Sequence, residues 1–471
     1  MKKFILCSLI LLGVLATSSE AANKVLRAGA AKADITPVKW PISLVGSFSD
    51  RKATKMYDPL HARALVLDDG ITRIAMVVVD NCLVPREVFD DAKQRAEIAS
   101  GIPTDRILVS ATHTHSAPAA KSSTGIGYSV DPDYIDHFKN GIAEAIRLAV
   151  TRLQPAEIGW GVAQAPKHVH NRRWYVTRDA IKTNPFGNTN DIVRMNPPRN
   201  PRWLIQPAAP TDPDVSFISV RSRKGKPIAL FANYSLHYVG GVPSGGVSAD
   251  YFGRFARLIH KRMGGDDEFV AIMSNGTSGD INNINFTNPG PRRKPFEQQD
   301  IVANYVATAV MKAHESVKFK TWVPVKMIQR ELAVKTRVPT PERLAQAKAF
   351  LAEPDDKKLP PRARAYAHWS MEITAQPVEK LILQAIRIGD LGITTIPNEV
   401  FVEIGLSLKG RSPFKTSFTV ELANGHYGYL PTPEQHKLGG YETWMGTCRL
   451  EETASVKISK TLLEMAQKLA D

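Results

Sequence analysis

From Ala28 onward the chain alternates β-branched apolar runs with longer stretches whose apolar positions recur at helical spacing. His61 to Leu67 and Thr72 to Val79 read as strands joined by an Asp68-Asp69-Gly70 turn. Arg86 to Ala99 has helical spacing and stops before Gly101 and Pro103, and Ile107 to Ala111 reads as a short buried strand. A long helix is predicted from about Tyr134 to Leu153. Strands resume at Val215 to Val220 and Ile228 to Ser235, with the basic run Arg221 to Lys226 as the turn between them. A helix over Tyr251 to Met263, a strand over Phe269 to Met273 and helices over Ile301 to Val317, Pro341 to Leu351 and Arg362 to Ile373 follow. A hairpin over Leu381 to Ile396 turns at Gly389-Asp390, and helices close the chain at Val400 to Leu408 and Glu452 to Leu469. The expected class is α/β, with mixed β-sheets layered with flanking helices in one large domain. Residues 165–213 are rich in Pro, Asn and Arg without periodicity, which predicts a long loop of the functional kind.

The first 21 residues stand apart. Lys2-Lys3, an apolar run from Phe4 to Ala16 and Ser19-x-Ala21 predict a cleaved signal peptide over residues 1–21, leaving residues 22–471 exported to the periplasm or beyond. The apolar run is shorter than the roughly 20 residues a membrane span needs. With 43% hydrophobic and 23% charged residues the chain is neither a disordered tail nor a multi-span membrane protein. The 61 Lys and Arg outnumber the 46 Asp and Glu, yet the excess is spread out and not interleaved with aromatics. That pattern argues against nucleic acid and leaves peripheral attraction to an anionic membrane surface open. Nothing points to an obligate protein partner. Cys82 and Cys448, the two cysteines beyond the signal, allow at most one bridge.

Candidate chemistry gathers at the predicted strand ends. His113-Thr114-His115 directly follows the Ile107 to Ala111 strand; in extended backbone both imidazoles would address one centre while Thr114 points away. Two locally hydrogen-bonded histidines are the alternative. His237, at an exposed strand end, suits a metal ligand or a structural role. Glu399, at the start of a helix, suits a ligand or simple complementarity to the helix dipole. Tyr429 and Tyr441 lie in Gly-containing loops where tyrosines also serve as packing platforms. Ser274 to Asp280 lacks the Gly-Lys-Ser/Thr ending of a phosphate loop, and His168-Val169-His170 reads as a loop anchor.

Taken in order, several motifs resemble one family. They are Ala28 to Pro37, Asp58 to Ala64, Ala111-Thr112-His113-Thr114-His115-Ser116-Ala117-Pro118, His237, Gly279-Asp280, Ile396-Pro397-Asn398-Glu399, and Gly428-Tyr429 with Tyr441-Glu442 twelve positions later. The chain resembles the neutral, non-lysosomal ceramidases over their N-terminal catalytic domain. The resemblance implies a zinc-dependent amidase acting on a small-molecule or lipid amide, N-acylsphingosine included. It implies His113, His237, Glu399 and Tyr429 as ligands of Zn2+, and His115 and Tyr441 as the residues that handle the water proton and the oxyanion. Arg172 matches the substrate-side arginine. Two imidazoles and a carboxylate suit a catalytic zinc on chemical grounds as well.

Two departures bear on the substrate. Asn282 stands where the family has a serine, and a carboxamide is no nucleophile of that type, so hydrolysis would have to run through metal and water. The chain also ends soon after the Tyr441 motif, so the family's C-terminal immunoglobulin-like domain is expected to be absent. An ester or N-acyl sugar substrate, or a non-catalytic metal-stabilised binding protein, are the rival readings.

Overall fold

The computed structural model describes residues 24–288 and 290–471, so the predicted signal peptide lies outside the described residues. Twelve strands build the two principal sheets. The larger comprises β1 (Arg27–Asp34), β2 (His61–Asp68), β3 (Arg73–Val79), β4 (Ile107–Ala111), β5 (Gln154–Gln164), β6 (Asp214–Ser222), β7 (Pro227–Tyr234) and β8 (Val270–Asn275), in the spatial order β8-β7-β6-β5-β1-β2-β3-β4. The smaller comprises β9 (Val325–Lys335), β10 (Val378–Ile388), β11 (Leu391–Ile396) and β12 (Thr416–Glu421), in that order. Both sheets are mixed: β3 with β4, β7 with β8 and β11 with β12 run parallel, while the hairpins β2-β3, β6-β7 and β10-β11 are antiparallel.

Period-2 alternation explains the layering. Along β2, Ala62, Ala64 and Val66 pack toward helices, whereas Leu65 and Leu67 pack toward the second sheet with Ile386, Ile393 and Phe418. Both faces are apolar because both are covered, which is why these strands read as continuous hydrophobic runs. Helices α1 (Arg86–Ser100), α2 (Pro132–Thr151), α3 (Asp250–Arg262) and α4 (Glu297–His314) cover the outer face of the large sheet, and helices Val402–Arg411 and Ala454–Ala470 cover the small one. The result is a four-layer α/β/β/α domain, as the expected class requires.

Helix ends follow local chemistry. Gly101 closes α1 at φ 72°, a left-handed conformation that costs glycine little, and its N–H bonds the Glu97 carbonyl. The Asp131 side chain caps α2 by accepting from the N–H groups of Asp133 and Tyr134, so that helix begins at Pro132, earlier than its apolar spacing suggests. β5 and β9 are additional eleven-residue strands; both are partly exposed, and glycines in β5 and polar residues in β9 hide their alternation. The segment 165–213 is not a plain loop: Arg173–Val176, Val193–Met195 and Leu204–Pro207 form a small sheet of their own. Cys82 and Cys448 are both buried free thiols.

Candidate metal centre

Parallel strand pairs end together, and the candidate residues sit just past those ends, where open α/β sheets collect ligands. His113 and His115 follow β4, His237 follows β7, Glu399 follows β11, and Ser278 lies in the loop after β8. The two histidines of the His-Thr-His motif do converge, but not through extended backbone. His113 has φ 70°, a left-handed conformation, and its N–H bonds the Asn81 carbonyl. His237 is 1% exposed rather than an exposed strand end. Glu399 precedes its helix and instead forms a short parallel pair, Glu399–Val400 with Tyr429–Leu430, which sets the Glu399 and Tyr429 side chains next to each other.

Each imidazole uses Nδ1 on a backbone carbonyl. Nδ1 of His113 donates to Cys82 (3.2 Å), that of His115 to Gly46 (2.9 Å) and that of His237 to Ser278 (3.0 Å). A carbonyl can only accept, so all three Nδ1 atoms carry hydrogen and the Nε2 atoms face inward. Nε2 of His113 lies 2.9 Å from Nε2 of His237 and 3.0 Å from Nε2 of His115. Bare lone pairs at that separation repel unless a proton or a metal cation lies among them. Glu399 Oε2 is 3.3 Å from His113 Nε2 and 3.7 Å from His237 Nε2, and it is buried without a hydrogen-bond partner. His113, His237 and Glu399 are therefore spaced to hold a metal ion, and an all-protein set of two imidazoles and a carboxylate fits zinc. Cys82, His113 and His115 form an overlapping group, with Cys82 Sγ 3.7 Å from His113 Nδ1.

The electrostatics favour a cation. Burial pushes the His115 and His237 imidazoles well below the usual histidine range, and positive charge nearby, on His113 for one and on Arg172 and His113 for the other, pushes the same way. Burial would raise Glu399, but His113 beside it holds the carboxyl well below its ordinary value. For His113 burial is outweighed by Cys82 and Glu399, which hold the imidazole well above its ordinary value. These directions are those of a proton held between His113 and Glu399, the place a metal ion would take.

Arg172 donates from Nη2 to Tyr429 Oη at 3.0 Å and from Nε to Glu442 Oε1 at 2.8 Å. Glu442 Oε2 accepts from Arg173 Nη1 at 2.8 Å, completing a buried network between two segments remote in sequence. Tyr441 lines a cavity of about 690 Å³ together with His113, His115, Glu399 and Tyr429. Asn282 is placed differently: its Nδ2 donates to Asn196 Oδ1 at 2.7 Å, its Oδ1 accepts from the Ile284 N–H at 2.8 Å, and it is not among the residues lining that cavity.

Further residues enter the site without a signal in the pattern. Tyr238 stacks on His115 with ring centroids 3.6 Å apart, and His426 Nε2 lies 3.3 Å from Glu399 Oε1. Each adjoins or shares a segment with a recognised motif residue, and that adjacency was the only available clue.

Residues 26–290, more than half of the chain, match the family described as neutral/alkaline non-lysosomal ceramidase, N-terminal. The chain belongs to this family. Two solved ceramidases share its fold. The neutral ceramidase from Pseudomonas aeruginosa superimposes with a TM-score of 0.72 at 18% identity, over 95% of this chain and 75% of that one. A ceramidase complexed with C2 does so with a TM-score of 0.73 at 17% identity, over the same 95% and 75%.

Proposed function

We propose that this member of the ceramidase family is an exported, zinc-dependent amide hydrolase, with residues 22–471 as its catalytic domain after removal of residues 1–21. His113, His237 and Glu399 would hold the zinc, with Tyr429 as a fourth oxygen ligand. Bound there, the metal supplies a Lewis acid that polarises an acyl carbonyl and makes water acidic enough to react near neutral pH.

The protein groups supply the rest. His115, neutral and tied at Nδ1 to Gly46, presents Nε2 to take the proton of the attacking water and to return it to the departing amine nitrogen. The Tyr441 hydroxyl is the donor to the oxyanion that develops as water adds to the carbonyl. Burial and Glu399 hold the Tyr429 hydroxyl well above its ordinary value against the pull of Arg172, which donates to Oη, so a metal ligated there would itself have to displace the proton.

One observation carries the reading: a buried, unpartnered Glu399 Oε2 faces the inward Nε2 atoms of His113 and His237, and Glu399 and His113 both line the cavity. Zinc content and hydrolysis of an N-acylsphingosine substrate test it. The parent protein should hold one zinc per chain and lose activity to a chelator, while His113→Ala and His237→Ala should each lose the metal. Full zinc retention in both variants rejects the ligand assignment.

A second substrate reading is favoured by the charged cavity mouth. Arg86 pairs there with Asp90 at 2.9 Å and Glu331 at 2.7 Å, and Arg449 with Glu372 at 3.4 Å. Such a rim suits a polar N-acyl compound such as an acylated amino sugar, so the same assay should include N-acetylated sugars.

A further inference from the structure

Glu421, the last residue of β12, is fully buried, which makes its carboxylate expensive unless it is well bonded. Its Oε1 accepts from Ser278 Oγ at 2.7 Å, and its Oε2 accepts from the Val400 N–H at 2.7 Å and the Ser278 N–H at 3.2 Å. Both partners bear on candidate ligands. The Ser278 carbonyl receives the Nδ1–H of His237, and the Val400 N–H belongs to the peptide unit that begins at Glu399.

The two segments are also pressed together. The Gly279 N–H bonds the Val400 carbonyl at 2.8 Å, and a Cβ at Gly279 would lie 2.6 Å from the Glu399 carbonyl oxygen. The chain turns sharply straight after Glu421, with Leu422 at φ 52°, a conformation a branched side chain holds only when its surroundings enforce it. An apolar residue could fill the same space, but it could not accept from the Ser278 loop and the Glu399 strand at once, as Oε2 does.

We infer that Glu421 is a positioning residue for the metal centre, locking the Ser278 carbonyl that orients His237 and the peptide that carries Glu399. It touches neither metal nor substrate; it sets the distance and orientation between two ligands supplied by different sheets. Outer partners of metal ligands typically account for about 10–100-fold in metal affinity.

The inference rests on the zinc reading above, and one titration separates the two. Glu421→Gln could keep its amide oxygen on the two N–H donors and turn its NH2 to the Ser278 hydroxyl, so the test is Glu421→Met, which keeps the length of the side chain and removes both acceptors. Zinc affinity by chelator competition should weaken about 10–100-fold, and the visible spectrum of the cobalt-substituted protein should shift, while circular dichroism of the metal-free variant shows a folded chain. A variant that merely melts earlier yet binds zinc within about twofold of the parent, well short of the range expected for such a partner, overturns the inference and leaves the metal reading intact. A parent that binds no zinc overturns both. If Glu421→Met does not fold, Ser278→Ala removes only the Oγ donor; about tenfold weaker zinc is then expected, at the low end of the same range, and unchanged affinity overturns the inference.

Discussion

A neutral imidazole has one N–H and one lone pair, and at this site backbone carbonyls decide which nitrogen carries which. Gly46, Cys82 and Ser278 each take an Nδ1–H, so three Nε2 atoms meet where Glu399 already brings a carboxylate oxygen. The same economy extends to the phenols: Tyr429 is tied to Arg172, whereas Tyr441 faces the cavity beside Phe48, with ring centroids 6.0 Å apart. Burial raises the Tyr441 hydroxyl above its ordinary value, which keeps it a hydrogen-bond donor throughout the neutral range. Tyr441→Phe should therefore lower kcat by roughly 10²–10³-fold, the usual effect of one lost oxyanion donor, while zinc content measured on the purified variant stays at the parent level. An unchanged rate would remove Tyr441 from the mechanism.

At the scale of elements, strand ends are where the chemistry gathers and helix faces are where stability is decided. Helix α1 buries Val88, Phe89, Ala92 and Ala96, and on the same face Lys93. Burial brings the Lys93 amine down to about 8 from an ordinary 10.5, against a small opposing pull from Asp90. Between those values the folded protein holds fewer protons than the unfolded chain. This group's contribution to stability is therefore complete above 10.5 and is lost as pH falls through 8, a deficit on the order of 3 kcal/mol at pH 7. Lys93→Met should raise the urea midpoint at pH 7 and lose most of that gain by pH 10.5. An equal gain at both pH values would show that volume rather than charge is responsible. The apolar spacing of α1 was plain in the sequence and its lysine was not, because helical periodicity reports the dominant face and tolerates one long side chain within it.

Taken as a whole molecule, the candidate ligands come from both sheets: His113 and His237 follow strands of the larger, Glu399 a strand of the smaller, and the apolar layer between the sheets holds the two sets in register. Metal that binds only the folded state stabilises it by mass action, about 4 kcal/mol when free metal is 1,000 times its Kd. Scanning calorimetry should accordingly show one cooperative transition that moves down on chelation and returns with zinc. Two separate transitions, only one of them zinc-sensitive, would mean that the sheets unfold independently and do not share the ion. Among the described residues no helix is long and apolar enough to cross a membrane.

What the sequence determined by itself was the succession of apolar runs and helical faces, and the order of motifs that marks the family. Those features are local, written in neighbouring residues or in short motifs such as His113-Thr114-His115 and Pro397-Asn398-Glu399. Tertiary structure alone decided that His113 reaches the centre from a left-handed backbone, that the amide of Asn282 is engaged by Asn196 and Ile284, and that Tyr238, His426 and Glu421 surround the candidate ligands. The physical reason is the reach of each interaction. A two-residue period assigns side chains to a face only while the backbone stays extended, and a hydrogen bond such as that from Ser278 to Glu421, 143 positions apart, leaves no trace in local pattern.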